Sequence, residues 1–247
     1  RLKRQIYACD DTAFRLSLAK KIISAKIQNQ SVVLHRYVRN HPADLTVEFQ
    51  SLRQMEHRLE RCSTIEELMG VEGMAARTYF GGLSKLVDPQ FSFHGRSRQP
   101  PRGAFNSMLS LGYTILLYEI YAEIENRGLS PYVGFLHSEH RGHPTLASDL
   151  MEEWRAVVVD SLVMSLVQGH EILIEQFAED LETGGILLQP DAMRIFIKKF
   201  EKKIETSVKY LGASSNSLRR CLYLQTADFV RAVEDRDPEL YQPVLIR

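Results

Sequence analysis

The chain has 247 residues, 44% of them hydrophobic and 25% charged, and its 31 basic and 31 acidic residues give a formal net charge of zero. Such a length can bury a large core in one or two domains, while the charge balance removes any global electrostatic argument for nucleic acid, so a basic surface has to be local. Cys9, Cys62 and Cys221 are odd in number, far apart and in no CxxC pair, which argues against a disulfide framework or zinc knuckle and fits a reduced, cytoplasmic setting. No apolar run approaches membrane length: residues 156–167 form a short one that contains Asp160.

In chain order, Asp10 or Asp11 can cap a helix whose Phe14, Leu18, Ile22 and Ala25 form one stripe, ending near Asn29-Gln30. A second apolar segment, Val32 to Tyr37, is closed by His41-Pro42. Leu45, Phe49, Leu52 and Leu59 predict an amphipathic helix. Ser63–Glu66 and Thr64–Glu67 match the capping box and predict a short helix stopping at Gly70, followed by another over 72–86 with Glu72 in its first turn. From Val87 to Gly103 the pattern breaks at Pro89, Gly95, Pro100, Pro101 and Gly103, which marks a long irregular loop. Arg96, Arg98 and Arg102 make it basic, against Asp88 alone. Helix returns over 105–127, with Leu109, Leu116, Ile120 and Ile124 inside and Gly128 after the end. Residues 177–189 predict a short hairpin around Thr183-Gly184-Gly185. Asp191 and then Ser215 or Ser217 cap two last helices, to about Thr206 and to Glu234.

The stretch that concentrates chemistry is 131–155, PYVGFLHSEHRGHPTLASDLMEEWR. An apolar run ends in His137, a polar loop follows, and a helix that Thr145 can cap continues from Ala147 through Val167. Asp149, Glu152 and Glu153 stand i,i+3 and i,i+4, on one helix face. Like charges so close repel, and a divalent metal, an arginine or water could each relieve them. Arg155 can pair with Glu152 or Asp149, and Asp160 in its apolar run reads as a buried, hydrogen-bonded carboxylate. Taken alone, Glu72 is a partner for a helix dipole. His137, His140 and His143 recur at x₂ spacing without a nearby cysteine, so an exposed loop or DNA-backbone contacts by His140 and Arg141 fit better than a zinc site.

Three blocks, VEGMAARTYF (71–80), RSRQPPRGAFNSMLSLGYTILL (96–117) and GFLHSEHRGHPTLASDLMEEWR (134–155), resemble the signature blocks of the CRISPR-associated integrase, the universal adaptation protein that inserts new spacers into CRISPR arrays. AKKIISAKIQNQ (19–30), CLYLQTADF (221–229) and YQP (241–243) are similar to further parts of that family, so the resemblance spans nearly the whole chain. It implies a mainly α, multi-helix catalytic domain with at most a short hairpin: leading helices over 1–42, then the catalytic domain over 43–247. The family's N-terminal β-rich domain is expected to be missing from this chain, either trimmed or replaced by an upstream fusion such as a reverse transcriptase. Ala156 stands where a proline often follows the motif arginine.

By resemblance, Glu72, His137 and Glu152 are the catalytic metal ligands and Asp149 an auxiliary acid. Oxygen-rich ligation with one imidazole suits Mg²⁺ or Mn²⁺. Arg77, Lys85, Arg96, Arg98, Arg102 and Arg141 are the expected DNA contacts, to phosphates rather than bases. The implied activity is metal-dependent endonuclease and integrase chemistry, a 3′-OH attacking a phosphodiester of the CRISPR repeat. Implied partners are double-stranded DNA as prespacer and repeat, a second copy as homodimer and a small ferredoxin-like adaptation protein, with no membrane. Two rivals remain: a transposon-encoded integrase of the same lineage, and a non-catalytic DNA-binding assembly subunit with a vestigial metal site.

Overall fold

The apolar stripe that begins at Phe14 runs on past Asn29-Gln30 as one helix. In the computed structural model, which describes residues 1–137, 142–210 and 214–246, α1 (Leu2–Asp10) leads into α2 (Thr12–Val38), and Asp11 caps α2 by accepting the Phe14 amide. Asn29 is fully buried and stays helical because its side chain is used elsewhere: Nδ2 donates to the carbonyls of Glu153 (2.9 Å) and Val244 (2.8 Å), and Oδ1 accepts from Ile246 N–H (3.0 Å). A local asparagine signal is thus overridden by long-range bonds.

Then come α3 (Thr46–Arg61) and α4 (Ile65–Ser84), which pack on α2 and on each other. Thr64 caps α4 by accepting the Glu67 amide, and Glu67 accepts from the Ser63 amide at 2.7 Å, one residue before the cap, so the pattern read from sequence caps the helix without forming the reciprocal box. The helix runs straight through Gly70, so two predicted helices are one, and Glu72 sits in its interior rather than its first turn. The loop to Gly103 contains a 3₁₀ turn (Pro89–Phe91) and is pinned by buried Phe91 and Phe93. Next is α5 (Ala104–Asn126), ended by Gly128 at φ +71°.

The predicted helix over 147–167 is broken. It starts as α6 (Thr145–Met151), preceded by Pro144; Thr145 is its first residue, and its hydroxyl donates to the His143 carbonyl instead of capping. The turn tightens at Glu152 N–H to Asp149 O and Trp154 N–H to Met151 O, then widens into a π-helical segment, Arg155–Asp160, before α7 (Ser161–Gln168). Such wide turns often sit at functional sites. This one packs against α2, α5, α7 and α8 (Pro190–Ile204). Gly112 of α5 allows the approach: a Cβ there would stand 2.5 Å from Val159 Cγ1.

The hairpin of β1 (Phe177–Asp180) and β2 (Gly185–Leu188) is antiparallel, pairing Phe177 with Leu188. A second one, β3 (Ser207–Tyr210) with β4 (Ser214–Ser217), was not anticipated, since SSNS offers no apolar alternation. Pro190, not Asp191, opens α8, and Asp191 pairs with Arg194 at 2.9 Å. Ser217 caps α9 (Leu218–Asp235). The fold is mainly α, and one core joins Leu18 and Ile22 of α2 to Tyr79, Phe105, Phe135, Trp154, Phe196 and Phe229. Among the described residues no helix is long and apolar enough to cross a membrane.

Asp160 is the buried structural carboxylate expected, accepting from the hydroxyls of Tyr79 (2.8 Å) and Tyr113 (2.5 Å). Burial lifts its pKa from 3.8 to about 6, although those hydroxyls and Arg155 pull the other way. A folded value above the unfolded one means that this group's contribution to stability is full below pH 3.8 and is lost as the pH rises through about 6. That gap is worth up to about 3 kcal/mol. Asp160→Asn removes the dependence, so its urea midpoint should climb relative to wild type between pH 4 and 7; a constant difference would refute this.

Candidate active site

His137 is delivered by the irregular segment 129–137 that follows α5. Gln5 of α1 fixes its start, accepting from Ser130 N–H and donating to the carbonyls of Ser130 and Val133, while Arg15 Nε donates to the Phe135 carbonyl at 2.7 Å. Its end is gathered by one carboxylate. Asp149, fully buried, accepts the backbone N–H groups of Phe135 (2.6 Å), Leu136 (2.9 Å) and His137 (3.1 Å) and stands 2.7 Å from His137 Nδ1. The approach requires glycine at 134, where a Cβ would meet Asp149 Oδ2 at 2.8 Å and Thr145 Cγ2 at 2.5 Å. With Nδ1 facing Asp149, Nε2 faces Glu152, 3.9 Å from its Oε1. Burial alone would lower the His137 pKa, but the hydrogen bond and charge of Asp149, with Glu152, raise it on balance.

Two carboxylates meet a single ammonium beside this imidazole. Lys26, from the middle of α2, bonds to Glu72 of α4 and lies 2.6 Å from Glu152 Oε2. All three are largely buried, with Lys26 7% and Glu152 5% exposed. Arg155 Nε donates to Glu152 Oε1 at 3.0 Å. Burial would raise the Glu152 pKa, yet Arg155, Lys26 and His137 together hold it far below the usual carboxylate range. Burial opposes the charge on Lys26 too, and the two glutamates more than restore it. Glu72 and Glu152 therefore meet at Lys26, and His137 stands beside the other oxygen of Glu152, so three separate elements contribute to one neighbourhood. Glu153 does not: its carboxylate turns away and accepts from Tyr241 OH (2.5 Å) and Val244 N–H (2.6 Å), and burial pushes its pKa up to about 8. Past the tight turn at Glu152, the shared face predicted for the three acids no longer holds.

A cleft of about 510 Å³ opens on this point, lined by His137, Glu152, Arg155, Ser148, His143 and Arg98 of the 87–103 loop. Arg98, Arg102 and Arg77 are exposed, and so is Lys85, whose ammonium lies 2.6 Å from Glu48. Arg96 is different. It donates to the Ser97 carbonyl, Asn106 Oδ1 (3.1 Å) and Ser110 Oγ (3.0 Å), and its guanidinium lies 5.3 Å from the Tyr113 ring. The other side of the account of Tyr113 is Arg155, 4.7 Å from the same ring. Arg141 and His140 lie outside the described residues. Sequence reasoning missed Lys26, whose signal is a charge inside the apolar run Ile22-Ile23 to Ile27, and Tyr113.

The family model described as CRISPR associated protein Cas1 matches residues 1–202. The chain belongs to the Cas1 family. The CRISPR-associated endonuclease Cas1 of Mycobacterium tuberculosis is 40% identical over 243 residues, 96% of this chain and 70% of that protein. Among solved structures, a partial Cas6-RT-Cas1–Cas2 complex aligns with a TM-score of 0.88 at 25% identity, over 98% of this chain and 72% of the other. A casposase bound to integration product aligns with a TM-score of 0.85 at 26% identity, over 94% of this chain and 64% of the casposase.

For a Cas1 protein the question is whether this cluster suits a divalent cation. Two carboxylates and one imidazole nitrogen make an oxygen-rich donor set. Glu152 Oε2 is buried and its near neighbour is the Lys26 ammonium, 2.6 Å away, so a cation already sits where a metal would be bound. Among the described residues no three carboxylate, imidazole or thiol groups are already grouped as a metal site, and it is the Lys26 ammonium that stands between Glu72 and Glu152. The donors fit in type and charge. The two arginines of the loop should separate in their roles: Arg96→Ala is expected to lower unfolding free energy by about 1–3 kcal/mol, and Arg98→Ala to change it by less than about 0.5 kcal/mol, in urea melts of both proteins. Equal losses would contradict the division.

Proposed function

We propose that this protein is a Mg²⁺- or Mn²⁺-dependent DNA integrase and endonuclease that joins the 3′-OH of a short duplex to a phosphodiester of a CRISPR repeat. The observation that carries the reading is the meeting of Glu72 and Glu152 at one buried ammonium, with His137 Nε2 3.9 Å from the other oxygen of Glu152, beside a cleft that His137 and Glu152 line. Glu72, Glu152 and His137 Nε2 would hold the metal, which when bound supplies polarisation of the scissile phosphate and activation of the attacking hydroxyl. Asp149 keeps the proton on His137 Nδ1, leaves Nε2 as the acceptor and fixes the ring, the support that ligating histidines commonly have. Arg155 holds Glu152 ionised in its buried place. Arg98 at the cleft offers a guanidinium to a phosphate, where bidentate contacts orient DNA without reading sequence. Arg102, Arg77 and Lys85 extend that role along the exposed surface, and Arg96 would act on DNA mainly by shaping the loop.

The partners proposed are prespacer and repeat DNA, a second copy of the chain and a small Cas2-type protein, the last supported by likeness to Cas6-RT-Cas1–Cas2 complexes. An upstream reverse transcriptase fusion is in keeping with the same complexes. Likeness to a casposase favours one alternative, integration outside any CRISPR array; a target plasmid with and without a repeat separates the two by where insertions fall.

Glu152→Gln keeps the side-chain volume and removes the charge, so strand transfer in Mn²⁺ should vanish while DNA affinity stays within about threefold, since loss of a repelling carboxylate offsets loss of the cation. Arg98→Ala should do the reverse, weakening DNA binding and lowering the slope of log affinity against log salt by about one. Integration at the wild-type rate by the Glu152→Gln protein would refute the metal site.

A further inference from the structure

We propose that Lys26 is the resident cation of this site: its ammonium occupies the place between Glu72 and Glu152 that a divalent metal would take, and the metal enters by displacing it. The inference rests on the metal reading above and adds a residue that the reading does not need. Lys26 projects from the interior of a helix into a buried pair of like charges, with its side chain 8% exposed. Two ionised carboxylates held together away from water repel unless a cation or a shared proton relieves them, and removing the cation between them would be unfavourable. Arg155 answers one oxygen of Glu152 and none of Glu72. Lys26 reaches both acids, at Glu72 Oε1 and Glu152 Oε2. The metal-free protein can thus fold with its acids already in register.

The same contacts make the ammonium a competitor. Glu152 Oε2 lies 2.6 Å from Lys26 Nζ, so a metal taking that oxygen has to take the place of the ammonium. A metal and Nζ cannot both sit at bonding distance between the same two oxygens. Lysine suits a yielding partner, because its charge is compact and its four-carbon stem has free torsions; an arginine fork would grip a carboxylate at two points. Arg155 stays on Glu152 Oε1 throughout, so that acid remains paired while Nζ leaves.

The test is metal affinity, read without turnover. Mn²⁺ binding to Lys26→Met, followed by the electron paramagnetic resonance of free Mn²⁺, should be roughly tenfold tighter than to wild type or more, the scale on which one unit charge acts at contact distance even when screened. The metal-free variant should melt at a lower temperature than wild type, and saturating Mn²⁺ should raise its Tm by more than it raises that of wild type. Affinity equal to or weaker than wild type would overturn displacement and make Lys26 a supporting residue. Glu152→Gln is the control: if wild-type binding does not depend on Glu152, the metal reading itself fails, whereas Glu152-dependent binding that Lys26→Met does not tighten removes only the present proposal. Should Lys26→Met not fold, the wild-type protein decides. Its protected lysine ¹H–¹⁵N ammonium signal, assigned by its loss in Lys26→Arg, is expected to shift or vanish on saturation with Mg²⁺. A signal left in place with Mg²⁺ bound would refute the exchange.

Discussion

One carboxylate organises the region on which everything else at the site depends. Asp149 accepts three consecutive backbone amides and an imidazole nitrogen, so the segment 135–137 is wrapped around a buried anion in place of secondary structure. A buried carboxylate with four donors is satisfied as few such groups are, and hydrogen bonds to a charged acceptor are the strong ones. The arrangement constrains its neighbours in turn. Position 134 has to be glycine because Asp149 and Thr145 occupy the space of a side chain. His137 has one free nitrogen and one direction in which to present it.

The second constraint is the change of helical pitch after Met151. A continuous α-helix would carry Glu153 onto the side of Asp149 and Glu152, adding a third negative charge to the cluster. The tight turn and the π-helical segment that follows separate them, sending Glu152 toward Lys26 and Glu153 toward Tyr241 and Val244. The widened turn also seats Asp160 between two tyrosines, one of which lies between Arg96 of the basic loop and Arg155 of the acid cluster. Loop and cluster therefore share a neighbour, although they belong to different stretches of chain.

Much of this was legible in the residues. Apolar stripes and caps marked α3, α5 and α9, glycines and prolines marked the 87–103 loop, and Thr183-Gly184-Gly185 marked the first hairpin, because these signals are local and act where they stand. The reading failed where a distant partner overrules a local preference. Gly70 ends nothing, since Ile65–Ser84 is held as one helix by its packing on α2 and α3. Asn29 ends nothing, since its amide is bonded across more than a hundred positions. Asp149 and Glu152 were readable as an acidic face beside a histidine, but which cation relieves them was not: periodicity carries no information on a lysine arriving from another helix. Arg96 and Arg98 look alike in the string, and only the partners of Arg96, Asn106 and Ser110, tell them apart.

The bonds of Asn29 and Glu153 to Val244 and Ile246 have a consequence in time. Glu153 and Val244 are 91 positions apart, and Asn29 and Val244 are 215 apart. A chain emerging from the ribosome at about 5–20 residues per second has Lys26, Glu72 and Glu152 in hand on the order of ten seconds before Val244, which locks the next residue, is made. Contacts so distant in sequence are late and slow to close. The acids and the histidine are thus synthesised well before Val244 and Ile246 can complete their surroundings.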